Sequence, residues 1–227
     1  MINYITIDGL VNNLQLKNIN VLIGANGSGK SYLLKQIAKQ YKDTVYYHSF
    51  NLDKLTAFLY EIRQNNYDNY LKIVGTVALI LPHFHDFTFK LDNNNRRLYW
   101  MSKYSDYIMP STQLSDGTLR FAYLIAILLQ PNPPRTIIID EPEISLHPYA
   151  INILGALLHS VSENIQIIIS TQSVALLDEF DLEDIIIVEN HNGKPEYKWL
   201  NAKEYENWLK EYTVSELWYK NVLGGRP

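Results

Sequence analysis

Glycines at 24, 27 and 29, followed by a lysine and a serine, make up Gly24-Ala25-Asn26-Gly27-Ser28-Gly29-Lys30-Ser31, which fits G-x-x-x-x-G-K-[ST]. The chemistry that needs this order is phosphate binding. Small residues let the backbone wrap closely enough for its N–H groups to cradle anionic oxygens, and a helix starting directly afterwards aims its positive end at the same charge. Asn26, Gly27, Ser28 and Gly29 then form the cradle, Lys30 reaches the β- and γ-phosphates, and the Ser31 hydroxyl binds Mg2+. The expected ligand is a nucleoside triphosphate with Mg2+.

A second group is Ile137-Ile138-Ile139-Asp140-Glu141-Pro142, an apolar strand delivering two carboxylates at its C-terminal end, where α/β sheets place their ligands. Asp140 suits a Mg2+ ion, held directly or through water. Glu141 beside it is placed to polarise an attacking water as general base. Alone, an Asp-Glu pair more often just ends a strand; it gains meaning from following a P-loop. A third segment, Leu114-Ser115-Asp116-Gly117-Thr118-Leu119-Arg120-Phe121, opens an apolar helix. Its plain role is helix capping, yet the Ser115 hydroxyl and the Gly117 amide at a helix start also make an anion site. A fourth, Ile167-Ile168-Ile169-Ser170-Thr171-Gln172-Ser173, ends a buried strand in polar side chains, with Gln172 able to reach a γ-phosphate or a water.

The elements that must carry these groups read from the hydrophobic pattern. Val21-Leu22-Ile23 is a buried strand entering the P-loop, and a helix follows from Ser31. Two short strands around Asp8-Gly9 precede it, and Thr44 to His48 is β-rich. Helical spacing runs from Asn51 to Asn66 with Asn51 as cap, and again from about Asn69 to Leu81, where Pro82 stops it. Phe87–Leu91 and Arg97–Met101 read as a hairpin around Asn93-Asn94-Asn95, so residues 50–105 form a mostly helical insertion. Gly117 to Gln130 is a helix, Thr136 to Ile139 a central strand, Pro148 to Val161 a helix and Ile165 to Ile169 a second central strand. Ser173 to Asp178 starts a helix, Ile185–Val188 and Glu196–Leu200 form a terminal hairpin around Asn192-Gly193, and helices over 202–212 and 214–219 close the chain. Strands alternating with helices give an α/β fold with a mostly parallel sheet and an N-terminal antiparallel part.

At 227 residues and 47% hydrophobic content the chain has enough length for one substantial core. A net charge of −4 gives no global positive field for nucleic acid, leaving only Arg96-Arg97 and Lys35, Lys39 and Lys42 as local candidates. The absence of cysteine excludes disulfides, thiolate catalysis and thiolate metal sites. No run is long enough to span a bilayer and no signal pattern opens the chain, so a cytoplasmic location without membrane attachment is expected. His83-Phe84-His85 lacks further ligands for a metal and reads as structural, and the seventeen tyrosines fit core and hairpin packing better than base stacking.

In this order the motifs resemble the ABC-type ATPase heads of the RecF/RecN/SMC-like group, and among them small bacterial AAA-type ATPases allied to the OLD family. Gly-Ala-Asn-Gly-Ser-Gly-Lys-Ser is similar to that group's Walker A, Leu-Ser-Asp-Gly-Thr-Leu-Arg-Phe to its ABC signature, and Ile-Asp-Glu-Pro-Glu-Ile-Ser-Leu-His-Pro to its Walker B and D-loop. The tail, with Gly224-Gly225-Arg226-Pro227, is similar to a family C-terminus, which implies an untruncated chain. The resemblance implies one P-loop head over 1–227 that hydrolyses ATP slowly with Glu141 and Gln172 as catalytic residues. It implies a homodimer sandwiching ATP between the P-loop of one copy and Ser115 and Gly117 of the other, with His147 near that interface. Gln172 stands where most ABC ATPases carry a switch histidine, and Asp116 replaces a glycine of transporter signatures. The glutamine of the Q-loop is left unassigned, neither Gln64 nor Gln113 being singled out for it. No nuclease or coiled coil is visible, so resemblance implies a nuclease-like effector in trans, in DNA processing or anti-phage defence. The alternatives are a transporter's nucleotide-binding subunit and a non-hydrolytic ATP sensor.

Overall fold

In the computed structural model, residues 1–92 and 95–225 are described. The Asn93-Asn94 part of the expected turn and Arg226-Pro227 of the tail lie outside them. The chain packs as two compact units: residues 1–48, 134–143 and 151–227 in one, 49–133 and 144–150 in the other.

The first unit starts with an antiparallel hairpin, β1 (Tyr4–Ile7) and β2 (Val11–Gln15), followed by β3 (Ile19–Ile23), α1 (Lys30–Gln40) and β4 (Val45–Tyr47). The chain then builds the second unit from α2 (Leu52–Asn65), α3 (Tyr67–Ile80), β5 (Phe84–Asp92), β6 (Asn95–Ser102), β7 (Ser105–Pro110), a 3-10 turn at Ser111–Gln113 and α4 (Asp116–Leu128). The remaining elements are β8 (Thr136–Asp140), α5 (Pro148–Ser162), β9 (Gln166–Ser170), α6 (Val174–Leu177), β10 (Ile185–His191), β11 (Lys194–Trp199), α7 (Ala202–Leu209) and α8 (Val214–Tyr219).

The sheet of the first unit runs β11-β10-β3-β9-β8-β4, parallel throughout except for β11 at its edge. Three of its four inner strands are rich in isoleucine because both faces are covered: β3 and β9 are buried along their whole length and β8 up to Ile139. Alternate residues point one way, and Leu22, Ile138, Ile168 and Ile186 pack with Leu33, Leu34 and Ile37 of α1 and Ile5 and Leu14 of the hairpin. Buried Asn20 and Gln166 satisfy the backbone around that core. The Gln166 amide nitrogen donates to Ile2 O at 2.8 Å and Lys17 O at 2.9 Å, while its oxygen accepts from Ile2 N and the Thr136 hydroxyl.

The second unit departs from sequence expectation in two places. Helix α3 begins at Tyr67 rather than near Asn69, because Asn66 ends α2, its N–H donating to Ile62 O, and at once caps α3 by accepting from Asn69 N at 3.2 Å. The expected hairpin is a three-stranded antiparallel sheet, since Ser105–Pro110 adds β7 to β6. That strand carries exposed Tyr107 and Ile108 and has no alternating pattern to announce it. The terminal hairpin also has a second role: its first strand, β10, pairs in parallel with β3 and so lies beside the P-loop strand.

Candidate functional site

Strand β3 enters the P-loop at Gly24, where a Cβ would stand 2.2 Å from the Val188 carbonyl oxygen, so only glycine lets the loop pass this close to β10. Lys30 opens α1 and is almost fully buried; its ammonium donates to Gly24 O at 2.6 Å and Ala25 O at 3.0 Å, closing the loop on itself. Burial lowers its pKa below the ordinary lysine value, against the raising effect of Glu141, Asp140 and Glu143. The three carboxylates favour the charged form of Lys30 and leave the cluster with a negative balance that a divalent cation would offset.

Asp140, the last residue of β8, sits in register with Ser170 of β9. Its Oδ1 accepts from the Ser31 hydroxyl at 3.0 Å and from the Ser170 hydroxyl, and its Oδ2 from the Tyr47 hydroxyl at 3.5 Å. Burial, with the Asp140 charge and hydrogen bond, pushes Tyr47 up to about 12, so that phenol remains a donor. The hydroxyl of the P-loop serine and a carboxylate of the acid pair therefore lie within hydrogen-bond distance of each other. Among the described residues no group of three or more His, Asp or Glu stands ready to hold a metal; one or two protein oxygens are the usual share for Mg2+, which takes its remaining ligands from water and phosphate.

Glu141 leaves the strand with φ 48°, a backbone conformation rare for a long side chain and typical of functional turns. Its N–H is held by Ser170 O at 3.1 Å. The turn brings its Oε1 to 2.6 Å from Gln172 Nε2, which also donates to Asn26 Oδ1 of the P-loop at 2.9 Å. Glu143 was not singled out by the sequence reading. Its Oε1 accepts from the Thr171 hydroxyl at 2.6 Å and from the Gln172 amide at 3.0 Å, while its Oε2 is buried with no partner. A third carboxylate two residues beyond Asp-Glu was the signal that could have found it.

In the second unit Ser115 caps α4: its Oγ accepts from Thr118 N at 3.1 Å and lies 2.9 Å from the Thr118 hydroxyl. At Gly117 a Cβ would stand 2.1 Å from the Ser145 carbonyl oxygen, and Ser145 itself has φ 66°. Gly117 thus admits the backbone at Ser145 against the start of α4. Nδ1 of His147 accepts from Tyr149 N at 3.2 Å. Gln64 lies in α2 and Gln113 in the 3-10 turn.

Residues 38–178, which include the signature segment, Asp140, Glu141 and Gln172, match the family described as "AAA domain, putative AbiEii toxin, Type IV TA system". The chain belongs to that family. The match begins within α1, after the P-loop. Among curated proteins none matches. Among solved structures, the fold is similar to an SmcHead bound to the C-winged helix domain of ScpA, at 12% identity over 85% of this chain and 94% of that one, with a TM-score of 0.60. It is also similar to the ATP binding subunit of an ABC transporter, at 18% identity over 92% and 90% of the two chains with a TM-score of 0.55. A chain from the archaeal complex of stalk protein aP1 with ribosome recycling factor aABCE1 matches 89% of this chain over 43% of its own length, at 14% identity and a TM-score of 0.52. The AAA domain chain therefore has the fold of an ABC/SMC-like P-loop ATPase head. Among its described residues no helix is long and apolar enough to cross a membrane.

Proposed function

We propose that this AAA domain protein binds ATP with Mg2+, hydrolyses it slowly, and uses the cycle to switch a partner. The observation that carries the reading is the hydrogen-bonded chain from Asn26 through Gln172 to Glu141, alongside the Ser31–Asp140 contact. P-loop, acid pair and switch glutamine form one cluster within a single unit. Asn26 to Ser31 cradle the triphosphate, with Lys30 released from Gly24 and Ala25 to meet its charge. Ser31 and Asp140 would hold Mg2+, which would supply positive charge against that of the triphosphate. Glu141 takes the proton of the attacking water, and Gln172, a neutral donor, orients that water and the base without taking a proton itself. The missing imidazole supports a slow turnover.

The whole chain acts as one head, with residues 50–105 inserted. Two copies close around ATP, with Ser115 and Gly117 of one facing the P-loop of the other; the exposed Ser115 cap, with its hydroxyl at a helix start, supports this. An effector in trans, nuclease-like and acting in DNA processing or anti-phage defence, is the partner class that fits, with nucleic acid as a further ligand. Ser115→Arg tests the sandwich. The variant should bind ATP as a monomer, fail to dimerise and fail to hydrolyse, and mixing with Lys30→Ala should restore one working site per heterodimer. Normal turnover in Ser115→Arg alone would remove the sandwich and leave nucleotide binding standing.

A further inference from the structure

Strand β10 lies on the side of β3 opposite to β9 and β8. Ser31, Asp140, Glu141 and Gln172 gather on the β9–β8 side, so the γ-phosphate end of a bound triphosphate belongs there. A triphosphate wrapped by the P-loop then directs its nucleoside toward β10. On that side a cavity of about 450 Å3 opens between residues 25–28 of the P-loop and the end of β10, with Val188, Glu189, His191 and Gly225 in its walls. Its volume lies within the range of small-molecule pockets. Asn190 joins the two walls: its Nδ2 donates to Gly27 O at 3.4 Å, and its Oδ1 accepts from Gly193 N at 2.8 Å in the turn leading to β11.

The charge of the cavity limits what it takes. Among the described residues no lysine or arginine lines it, and Glu189 brings in a carboxylate that offers hydrogen-bond acceptors. Glu189 Oε1 accepts from Gly225 N at 2.8 Å, and its Oε2 stands 3.5 Å from His191 Nε2. The His191 contact is exposed and leaves Oε2 accessible to a ligand. A carboxylate in such a position accepts from neutral hydroxyls, the role acidic residues play toward ribose in dinucleotide folds.

We propose that this cavity seats the nucleoside half of the nucleotide and that Glu189 accepts hydrogen bonds from its ribose hydroxyls, an inference that rests on the ATP reading above. The test compares binding of ATP, 2′,3′-dideoxyATP and inorganic tripolyphosphate, each with Mg2+, to the intact protein and to Glu189→Ala. The wild type should prefer ATP over the dideoxy analogue by about ten- to hundredfold, the ratio supplied by a hydrogen bond to a charged group. Glu189→Ala should erase that preference and leave tripolyphosphate binding unchanged. The ligand series on the wild type needs no variant to fold. Equal binding of ATP and the dideoxy analogue by wild type, or a preference that survives Glu189→Ala, overturns the role of Glu189. Equal affinity for tripolyphosphate and ATP overturns the cavity as a nucleoside site while sparing the P-loop reading. Failure to bind either ATP or tripolyphosphate overturns both.

Discussion

Glu143→Ala removes one carboxylate oxygen that receives both the Thr171 hydroxyl at 2.6 Å and the Gln172 amide at 3.0 Å. Thr171 is fully buried, and its Oγ1 also accepts from Ser173 N at 3.0 Å, so the segment following β9 is anchored through this one acid. A hydrogen bond to a charged group contributes about 1.5–3 kcal/mol. Loss of the anchor frees Gln172 from its place against Glu141, and if that placement is worth one such bond in the transition state, kcat should fall about 10- to 100-fold. Glu143 makes neither of these hydrogen bonds with a P-loop residue, so the Kd for ATP should change by less than about threefold, below ~1 kcal/mol. Glu143→Gln keeps an oxygen for both donors and should recover most of the rate. The assay is steady-state phosphate release with ATP binding measured separately, and hydrogen exchange at residues 171–173 as a probe of the anchor. An unchanged kcat in Glu143→Ala, or one lost equally in Glu143→Gln, would refute the positioning argument.

Lys30→Ala should weaken ATP binding at least 100-fold, since it removes the buried ammonium of the P-loop; calorimetric titration checks it. Gly117→Ala forces a Cβ to within 2.1 Å of the Ser145 carbonyl oxygen, a backbone clash costing about 1–3 kcal/mol, and should lower the thermal midpoint by roughly 2–10 °C. An unchanged midpoint with lost turnover would instead assign Gly117 to phosphate binding alone.

The isoleucine triplets before Asp140 and Ser170 and the apolar run before Gly24 made the central strands legible, because a strand covered on both faces has to be apolar along its length. Asn51 marked the start of α2 for a local reason, a side chain accepting from Lys54 N, and such caps are readable within a few residues. Asn66 escaped because one residue serves two helices at once. Strand β7 escaped because its support comes from β6 and not from its own pattern. At the site, Lys30, Ser31, Asp140, Glu141 and Gln172 could be named from motif spacing. Tyr47 and Ser170 could not, since their parts arise from contacts spanning 30 to 93 residues in sequence, and Glu143 had only its place two residues beyond Asp-Glu to mark it. The place of β10 beside β3 was likewise invisible, and with it the cavity next to the P-loop.

In the proposed cycle Glu141 is the base and ATP the cement of a dimer. Purified Glu141→Gln, incubated with Mg2+ and ATP, should bind nucleotide as the wild type does and lose hydrolysis by at least 100-fold, because an amide cannot take the proton. It should also shift from monomer to dimer in sedimentation while the wild type cycles between the two. Turnover equal to wild type, or a protein that stays monomeric with ATP bound, would contradict it.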